Sequence, residues 1–304
     1  MLSSLSATQT PRGGISKAIV PAAGIGSRLY PITRSQPKEM LPLGRKPTIQ
    51  WVAEELALGG IGSILFVTGE NKRALENHFD PSAGPFANGK RPLPLDEVIH
   101  DPNLRLLYIR QGGPRGLADA IRCGDTFAAD DDVLVALGDV VLLESTPGSL
   151  VRRLCEVHRA RQAAATLAVN FVPDEETTRY GIVDPGASGD LGTALRDVVE
   201  KPPPGEAPSN YAITGRYVLS PVVFDYIGRL RPGHGSELQL TDALREMIRD
   251  GLPVHGVPLE DTEQPLDVGD IPSYWRSFVQ VMLADEALGD EMRAFLAQAG
   301  AGRG

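Results

Sequence analysis

Short apolar runs alternate with segments of helical period through the first half of the chain. Residues 17–21 (K-A-I-V-P), 64–68 (I-L-F-V-T), 104–109 and 132–137 (D-V-L-V-A-L) carry apolar stretches of strand length, the pattern of strands buried on both faces. Between them, 47–58 places Ile49, Val52, Ala53 and Leu56 on one helical face and Glu54 and Glu55 on the other, and Gly59-Gly60 ends it. Helices are also predicted over 71–79, with an asparagine cap, and over 117–127 and 150–161. A fifth strand is predicted over 165–172. Strands regularly separated by helices predict an α/β fold around a largely parallel sheet.

The second half changes character. Strand patterns at 180–183, 195–200 and 211–219 follow one another without intervening helices, which predicts a smaller mixed sheet beside the parallel core. Helical patterns resume at 221–230 and 241–249, a strand follows at 254–259, and helices over 273–283 and 285–298 close the chain. Residues 80–103 are rich in Pro, Gly and Asp without a period and read as a long insertion. Residues 1–16, rich in Ser, Thr and Gly, read as a flexible tail.

Composition narrows the function classes. A net charge of −9 over 304 residues disfavours a nucleic-acid surface or an anionic membrane. No apolar run approaches the ~20 residues a membrane helix needs, so a cytoplasmic protein is expected. Two cysteines, Cys123 and Cys155, make neither a disulfide framework nor a cysteine metal site. The five histidines have no metal spacing, and there is no G-x-S-x-G nucleophile elbow.

One stretch organises the chemistry: residues 17–40, K-A-I-V-P-A-A-G-I-G-S-R-L-Y-P-I-T-R-S-Q-P-K-E-M. A strand ends at Pro21, and Ala22, Ala23, Gly24, Gly26 and Ser27 follow with few Cβ atoms to keep a ligand off the backbone. Their peptide N–H groups can close on phosphate oxygens, with Arg28 and Lys38 adding positive charge. Glu39 beside Lys38 is out of keeping with a purely anion-binding loop. The loop is neither a P-loop, lacking Lys-Ser/Thr, nor a Rossmann fingerprint, since Leu29 stands at the third glycine. Asp139 lies just past a parallel strand, where open α/β sheets bind ligands, and Asp267 lies in D-V-G-D. Singly, either aspartate reads as a surface turn. Gln111 ends the third strand with an amide that offers donor and acceptor together.

A-A-G-I-G-S-R followed by P-K-E-M-L-P-L resembles the signature of the nucleoside-triphosphate:sugar-1-phosphate nucleotidyltransferases, and in its P-K-E-M-L-P form the uridylyltransferase branch of that family. Further matches run in family order: I-R-Q-G at 109–112, L-G-D at 137–139, Y-G-I-V at 180–183, V-V-E-K-P at 198–202, A-P-S-N-Y-A-I-T-G-R-Y-V-L at 207–219, E-L-Q-L-T-D at 237–242 and D-V-G-D at 267–270. The resemblance implies a Rossmann-like three-layer α/β/α mixed sheet with a smaller sugar-binding sheet and C-terminal helices. It implies a nucleotide-binding part over about 17–172 and a sugar-binding part over about 173–270, within a domain of 17–284. A helix and tail over 285–304 would be available for oligomer contacts.

The reaction implied is NTP plus sugar 1-phosphate giving NDP-sugar and pyrophosphate, with UTP and α-D-glucose 1-phosphate giving UDP-glucose as the expected pair. The resemblance places Mg2+ on Asp139 and Asp267, a base-reading amide at Gln111 with Gly116 admitting the base, and an acidic residue, Glu39, on the nucleoside side. Glu200 would accept sugar hydroxyls and Lys201 hold the sugar phosphate, with Gly181, Asn210 and Gly215 lining that pocket. Arg28, Lys38 and Lys201 would carry the catalysis, in a homodimer or homotetramer. The chain departs from the family near the base site, where Ala118-Asp119 replaces the usual Gly-His. Three alternatives stay open: another NTP or sugar phosphate with the same chemistry, a metal-dependent glycosyltransferase, or a non-catalytic sugar-nucleotide sensor. The second lacks Asp-x-Asp, because Val140-Val141 follows Asp139.

Overall fold

The computed structural model describes residues 14–80, 98–99, 101–186, 194–232 and 237–301. The expected tail over 1–16 and insertion over 80–103 lie largely outside these residues, as do His100 and His234. From β1 (Lys17–Pro21) the chain passes through three 3-10 turns and a small ribbon, β2 (Pro42–Leu43) with β3 (Lys46–Pro47), into α1 (Thr48–Leu58). Next come β4 (Ser63–Thr68), α2 (Arg73–His78), β5 (Arg105–Arg110), α3 (Leu117–Arg122), α4 (Asp125–Ala128), β6 (Val133–Ala136) and β7 (Val140–Glu144). After α5 (Ser149–Ala160) and β8 (Ala165–Phe171) come β9 (Gly181–Asp184), β10 (Asp197–Glu200) and β11 (Tyr211–Leu219). Then follow α6 (Val222–Arg229), α7 (Leu240–Arg249), β12 (Val254–Pro258), β13 (Glu263–Asp267), α8 (Ile271–Ala284) and α9 (Gly289–Ala301).

β5, β4, β1 and β6 form the parallel half of a nine-stranded mixed sheet. Its core explains the unbroken apolar run of β1. Ala18 and Val20 enter a cluster with Ile49, Val52 and Leu56 of α1 and Leu150 and Leu154 of α5. Ile19 points the other way, among Ile121 of α3, Ile227 of α6 and Leu244 of α7. A strand covered by helices on both faces has no polar side to show. The result is the α/β/α layering expected.

β11 is the hinge of the architecture. Its C-terminal half runs antiparallel to β6, its other edge pairs with β8, and β12 continues from β8. Its N-terminal half takes β9, and β10 follows. The smaller sheet expected for the second half is therefore hydrogen-bonded into the main one through β11. Gly215 sits at the register shift in β11 with φ 74°, where the strand accommodates extra residues against β8.

Besides the short β2–β3 ribbon, two strands were not legible in the sequence. β7 begins four residues after β6 ends, so V-V-L-L-E merges with the preceding apolar run, and β13 (E-Q-P-L-D) carries a proline. They pair antiparallel in a separate two-stranded sheet, with Asp267 opposite Val140 and Leu266 opposite Val141. That pairing brings residues more than a hundred positions apart to one point.

Candidate active site

The C-terminal ends of the parallel strands deliver the site. Past β1, Ala22 is buried and donates its N–H to Val67 O at 2.9 Å, so it extends the sheet rather than offering a phosphate contact. The free turn begins one residue later: the N–H groups of Ala23, Gly24 and Gly26 have no partner among the described residues. Gly26 holds φ 73°, a left-handed value that strains any residue with a Cβ, and Thr33 Oγ1 donates to its carbonyl at 2.8 Å. Leu29, in the position that spoiled the Rossmann pattern, is wholly buried against Leu41 and Val268. It pins the loop to the segment that carries Asp267. Ser27 and Arg28 stay exposed. A Cβ on Gly269 would fall 3.1 Å from Arg28 Nη2, so the guanidinium lies over the D-V-G-D turn.

Lys38 Nζ bonds Asp139 Oδ2 at 2.5 Å, joining the glycine loop to the end of β6. Burial pushes Asp139 up, but Lys38 outweighs it and the carboxyl is held below its ordinary value. Burial likewise pushes Lys38 down, and Asp139 more than restores it. Asp267 behaves oppositely. Burial, and then the charge of Asp139, push its carboxyl up, while Gly269 N–H donates to Oδ1 at 2.7 Å. An ionised Asp139 that raises its neighbour Asp267 in a half-buried site makes an all-oxygen donor pair that a hard cation would relieve. Among the described residues no cluster of three or more His, Cys, Asp or Glu forms a complete cage. Mg2+ on Asp139 and Asp267 would thus need substrate oxygens to complete its shell, which is how that ion is usually held beside phosphates.

Glu39 is placed differently from the expectation. It is 1% exposed, and its Oε2 accepts from Lys72 Nζ at 2.6 Å. Lys72, also buried, donates to Gly24 O at 2.8 Å. Glu39 thus faces inward and steadies the glycine loop through Lys72. Burial pushes the Glu39 carboxyl up and the Lys72 amine down. Lys72 was not singled out in the sequence. Its place just beyond the end of a parallel strand was the available signal.

A cleft of about 750 Å3 opens beside this loop, lined by Ala23, Gly24, Ser27, Tyr30, Lys72 and Gln111. Gln111 continues the ladder, its N–H donating to Thr68 O at 2.8 Å, and its Nε2 donates to Asp119 Oδ2 at 2.7 Å. Gly116 has a packing reason for being glycine. A Cβ there would fall 2.5 Å from Leu238 O, whose backbone crosses it, so the close approach of that segment requires a glycine.

On the opposite side, β10 ends in Glu200, and Lys201 follows. Adjacent strand residues normally face apart, but Lys201 has φ 41°, and this turn brings its Nζ to 3.4 Å from Glu200 Oε1. Thr241 Oγ1 donates to Glu200 Oε2 at 3.1 Å, and Gly181 leaves room for that approach, since its Cβ would lie 2.9 Å from Thr241 Cγ2. Lys201 N–H donates to Tyr180 O, and the neighbouring Arg179 reaches Asp267 Oδ2 at 3.5 Å and Asp270 Oδ2 at 3.4 Å. That chain of contacts carries the Glu200–Lys201 side to the carboxylate pair. Asn210 uses its amide on Val172 O and Asp174 Oδ1, holding the chain beside the pocket. Gly215 lies deeper, against Leu137.

Behind Asp139 sits a support that sequence patterns did not reveal. Arg216 is wholly buried and grips both oxygens of Glu55 at 2.9 and 2.7 Å. It also donates to Val140 O at 2.8 Å and Gly215 O at 3.1 Å. A lone arginine in an apolar strand carries no spacing signal, because its partner comes from α1.

A glycine loop with free N–H groups, a carboxylate pair at a strand end and a Glu-Lys pair linked to it through Tyr180 and Arg179 suit an enzyme that handles nucleotides and phosphorylated ligands. The chain belongs to the nucleotidyl transferase family, whose model matches residues 17–282, and it is a nucleotidyltransferase enzyme. It is 40% identical over 288 residues to the UTP–glucose-1-phosphate uridylyltransferase of Bacillus subtilis (strain 168), covering 93% of this chain and 96% of that relative. With the protein of the same name from Staphylococcus epidermidis it shares 38% over 289 residues, 93% and 98% of the two lengths. A crystal structure of UDP-glucose pyrophosphorylase complexed with UDP-glucose aligns at TM-score 0.77 and 32% identity, over 87% of this chain and 97% of that one. The UTP-bound enzyme from Acinetobacter baumannii aligns at 0.80 and 32%, over 93% and 99%.

Proposed function

We propose that this nucleotidyltransferase converts UTP and α-D-glucose 1-phosphate to UDP-glucose and pyrophosphate, with Mg2+, in the cytoplasm. The observation that carries the reading is the Asp139–Asp267 pair, set by the β7–β13 register between a phosphate loop and the Glu200–Lys201 pair. The named substrates of relatives at 40% and 38% identity support the choice of UTP and glucose 1-phosphate.

The sugar phosphate is already an anionic nucleophile and needs no base. Its oxygen bonds to the α-phosphorus in line, and the bond to the pyrophosphate oxygen breaks on the far side. Arg28 and the N–H groups of Ala23, Gly24 and Gly26 hold the triphosphate. Lys38, fixed by Asp139, stands as a cation toward the leaving end. Lys201 holds the attacking phosphate, and Glu200, oriented by Thr241, accepts a sugar hydroxyl. Mg2+ on Asp139 and Asp267 would supply charge neutralisation on the phosphate oxygens. Catalysis then rests on positioning and electrostatics rather than on a covalent intermediate.

Pyrophosphate release tests the reading, measured with UTP, dTTP, CTP and ATP against a panel of hexose 1-phosphates, with and without a chelator. UTP with glucose 1-phosphate is expected to be fastest and to stop when metal is removed. Failure of UTP to give pyrophosphate with any hexose 1-phosphate sinks the proposal.

A further inference from the structure

The buried carboxylate beside Gln111 stands where the family pattern has histidine, and it changes what the amide can offer. Asp119 is 1% exposed and accepts three hydrogen bonds: Gln111 Nε2 at 2.7 Å and Arg115 Nε at 3.1 Å on Oδ2, and Arg122 Nη2 at 2.8 Å on Oδ1. Burial pushes its carboxyl up, but these three donors outweigh it and the group stays ionised at neutral pH. An ionised carboxylate is an acceptor only. Gln111 must therefore turn its NH2 toward Asp119, because the opposite rotamer would set two oxygens against each other. The second hydrogen of that NH2 has Gly116 O within reach at 3.4 Å. Gln111 Oε1 has no hydrogen-bond partner among the described residues, and Gln111 lines the cleft.

We infer that Asp119 is a positioning residue for base choice, locking Gln111 so that it presents an acceptor to the ring N3–H of a uracil-type base. The inference rests on the nucleotide reading above and deepens it. A base whose ring nitrogen is itself an acceptor, as in cytosine, meets lone pair against lone pair. The base oxygen at position 4 is not read by Gln111 at all. The arginines make the lock stiff, since Asp119 cannot rotate away without leaving both guanidinium groups.

Calorimetric titration of the full chain with triphosphates, with no sugar phosphate present, separates this rule from turnover. UTP and 4-thio-UTP, which keeps N3–H and alters only position 4, are expected to bind within about threefold of one another. CTP and the triphosphate of pyrimidin-2-one riboside, which lack N3–H, are expected to bind roughly tenfold or more weaker. In Asp119→Asn the neighbouring amide can donate as well as accept, so Gln111 is free to turn and the UTP-to-CTP ratio should narrow by about tenfold. The rule is overturned if 4-thio-UTP loses as much affinity as CTP, or if folded Asp119→Asn keeps the wild-type ratio. Should that variant not fold, the analogue series on the wild type still decides. No binding by any triphosphate removes the nucleotide reading and the rule together, whereas UTP and the pyrimidinone analogue binding alike removes the rule alone.

Discussion

Lys201 holds a left-handed backbone, φ 41°, that costs a lysine on the order of 1 kcal/mol or more and is kept where the surroundings fix it. What the strain achieves is specific: two neighbours that would otherwise face apart come within 3.4 Å of each other. Lys201→Ala and Asp139→Asn are each expected to lower turnover by roughly 10²-fold or more while remaining folded, Asp139→Asn losing some stability with its Lys38 pair. Pyrophosphate release and urea unfolding on the same preparations check this, and near-normal turnover by either variant removes that residue from the mechanism. Asp119 has a lowered carboxyl, so the stability it contributes is present above the ordinary value of 3.8 and is lost as pH falls through its lowered folded value. Asp119→Asn should therefore cost about 1.5–3 kcal/mol at neutral pH and progressively less toward about pH 3. Denaturant unfolding of both proteins across that range reads the difference, and a penalty that grew on acidification would contradict it. Arg216→Met leaves Glu55 buried without its partner and is expected to destabilise by about 3–5 kcal/mol. Adding Glu55→Leu should recover much of that loss in the same unfolding assay, because no lone charge then remains inside.

At the scale of elements, the pairing of β7 with β13 decides whether the two carboxylates meet. Leu266, next to Asp267, is buried in the core cluster that includes Val141 and Leu154. Leu266→Ala should cost about 2–5 kcal/mol through the cavity it opens. It should also raise the Mg2+ concentration giving half-maximal turnover severalfold, since Asp267 is then held less firmly. Leu154→Ala on α5 opens a comparable cavity in the same cluster away from the site. If both variants shift the metal titration equally, stability and not register explains the effect. Most of the main-sheet strands were legible, with 17–21 and 211–219 predicted at their observed limits, because a doubly covered strand must be apolar on both faces. The helix expected over 117–127 is instead broken into α3 and α4. β7 and β13 escaped because one abuts another strand and the other carries few apolar residues.

For the molecule as a whole, an acidic chain sets Lys38, Arg28 and Arg179 beside the Asp139–Asp267 pair, with Lys201 tied to Tyr180, the residue after Arg179. The field a nucleotide meets is therefore set locally rather than by the net charge of −9. No described helix is long and apolar enough to cross a membrane. The C-terminal helices leave apolar side chains outside: Trp275 on α8 is 64% exposed and Phe295 on α9 is 61% exposed. These fit the proposal of a homodimer or homotetramer. Deleting 286–304 is expected to reduce the molar mass measured by light scattering, and an unchanged mass would clear α9 of any part in assembly.

By itself the sequence determined the layered α/β fold, the family, and the glycine loop and polar side chains from which the site is proposed. Local pattern suffices for those, because burial on two faces, a run of small residues and ordered motifs are written in consecutive positions. Tertiary structure alone decided how the side chains are used. Glu39 turned out to face Lys72 and the core, Gly116 to yield to Leu238, and Gln111 to be held by Asp119. Asp139 and Asp267 became one site only through strand register, and Arg216 found Glu55 across 161 positions. Hydrogen bonds and ion pairs between distant segments leave no period in the chain, so their partners emerge only when the sheet and its helices are assembled.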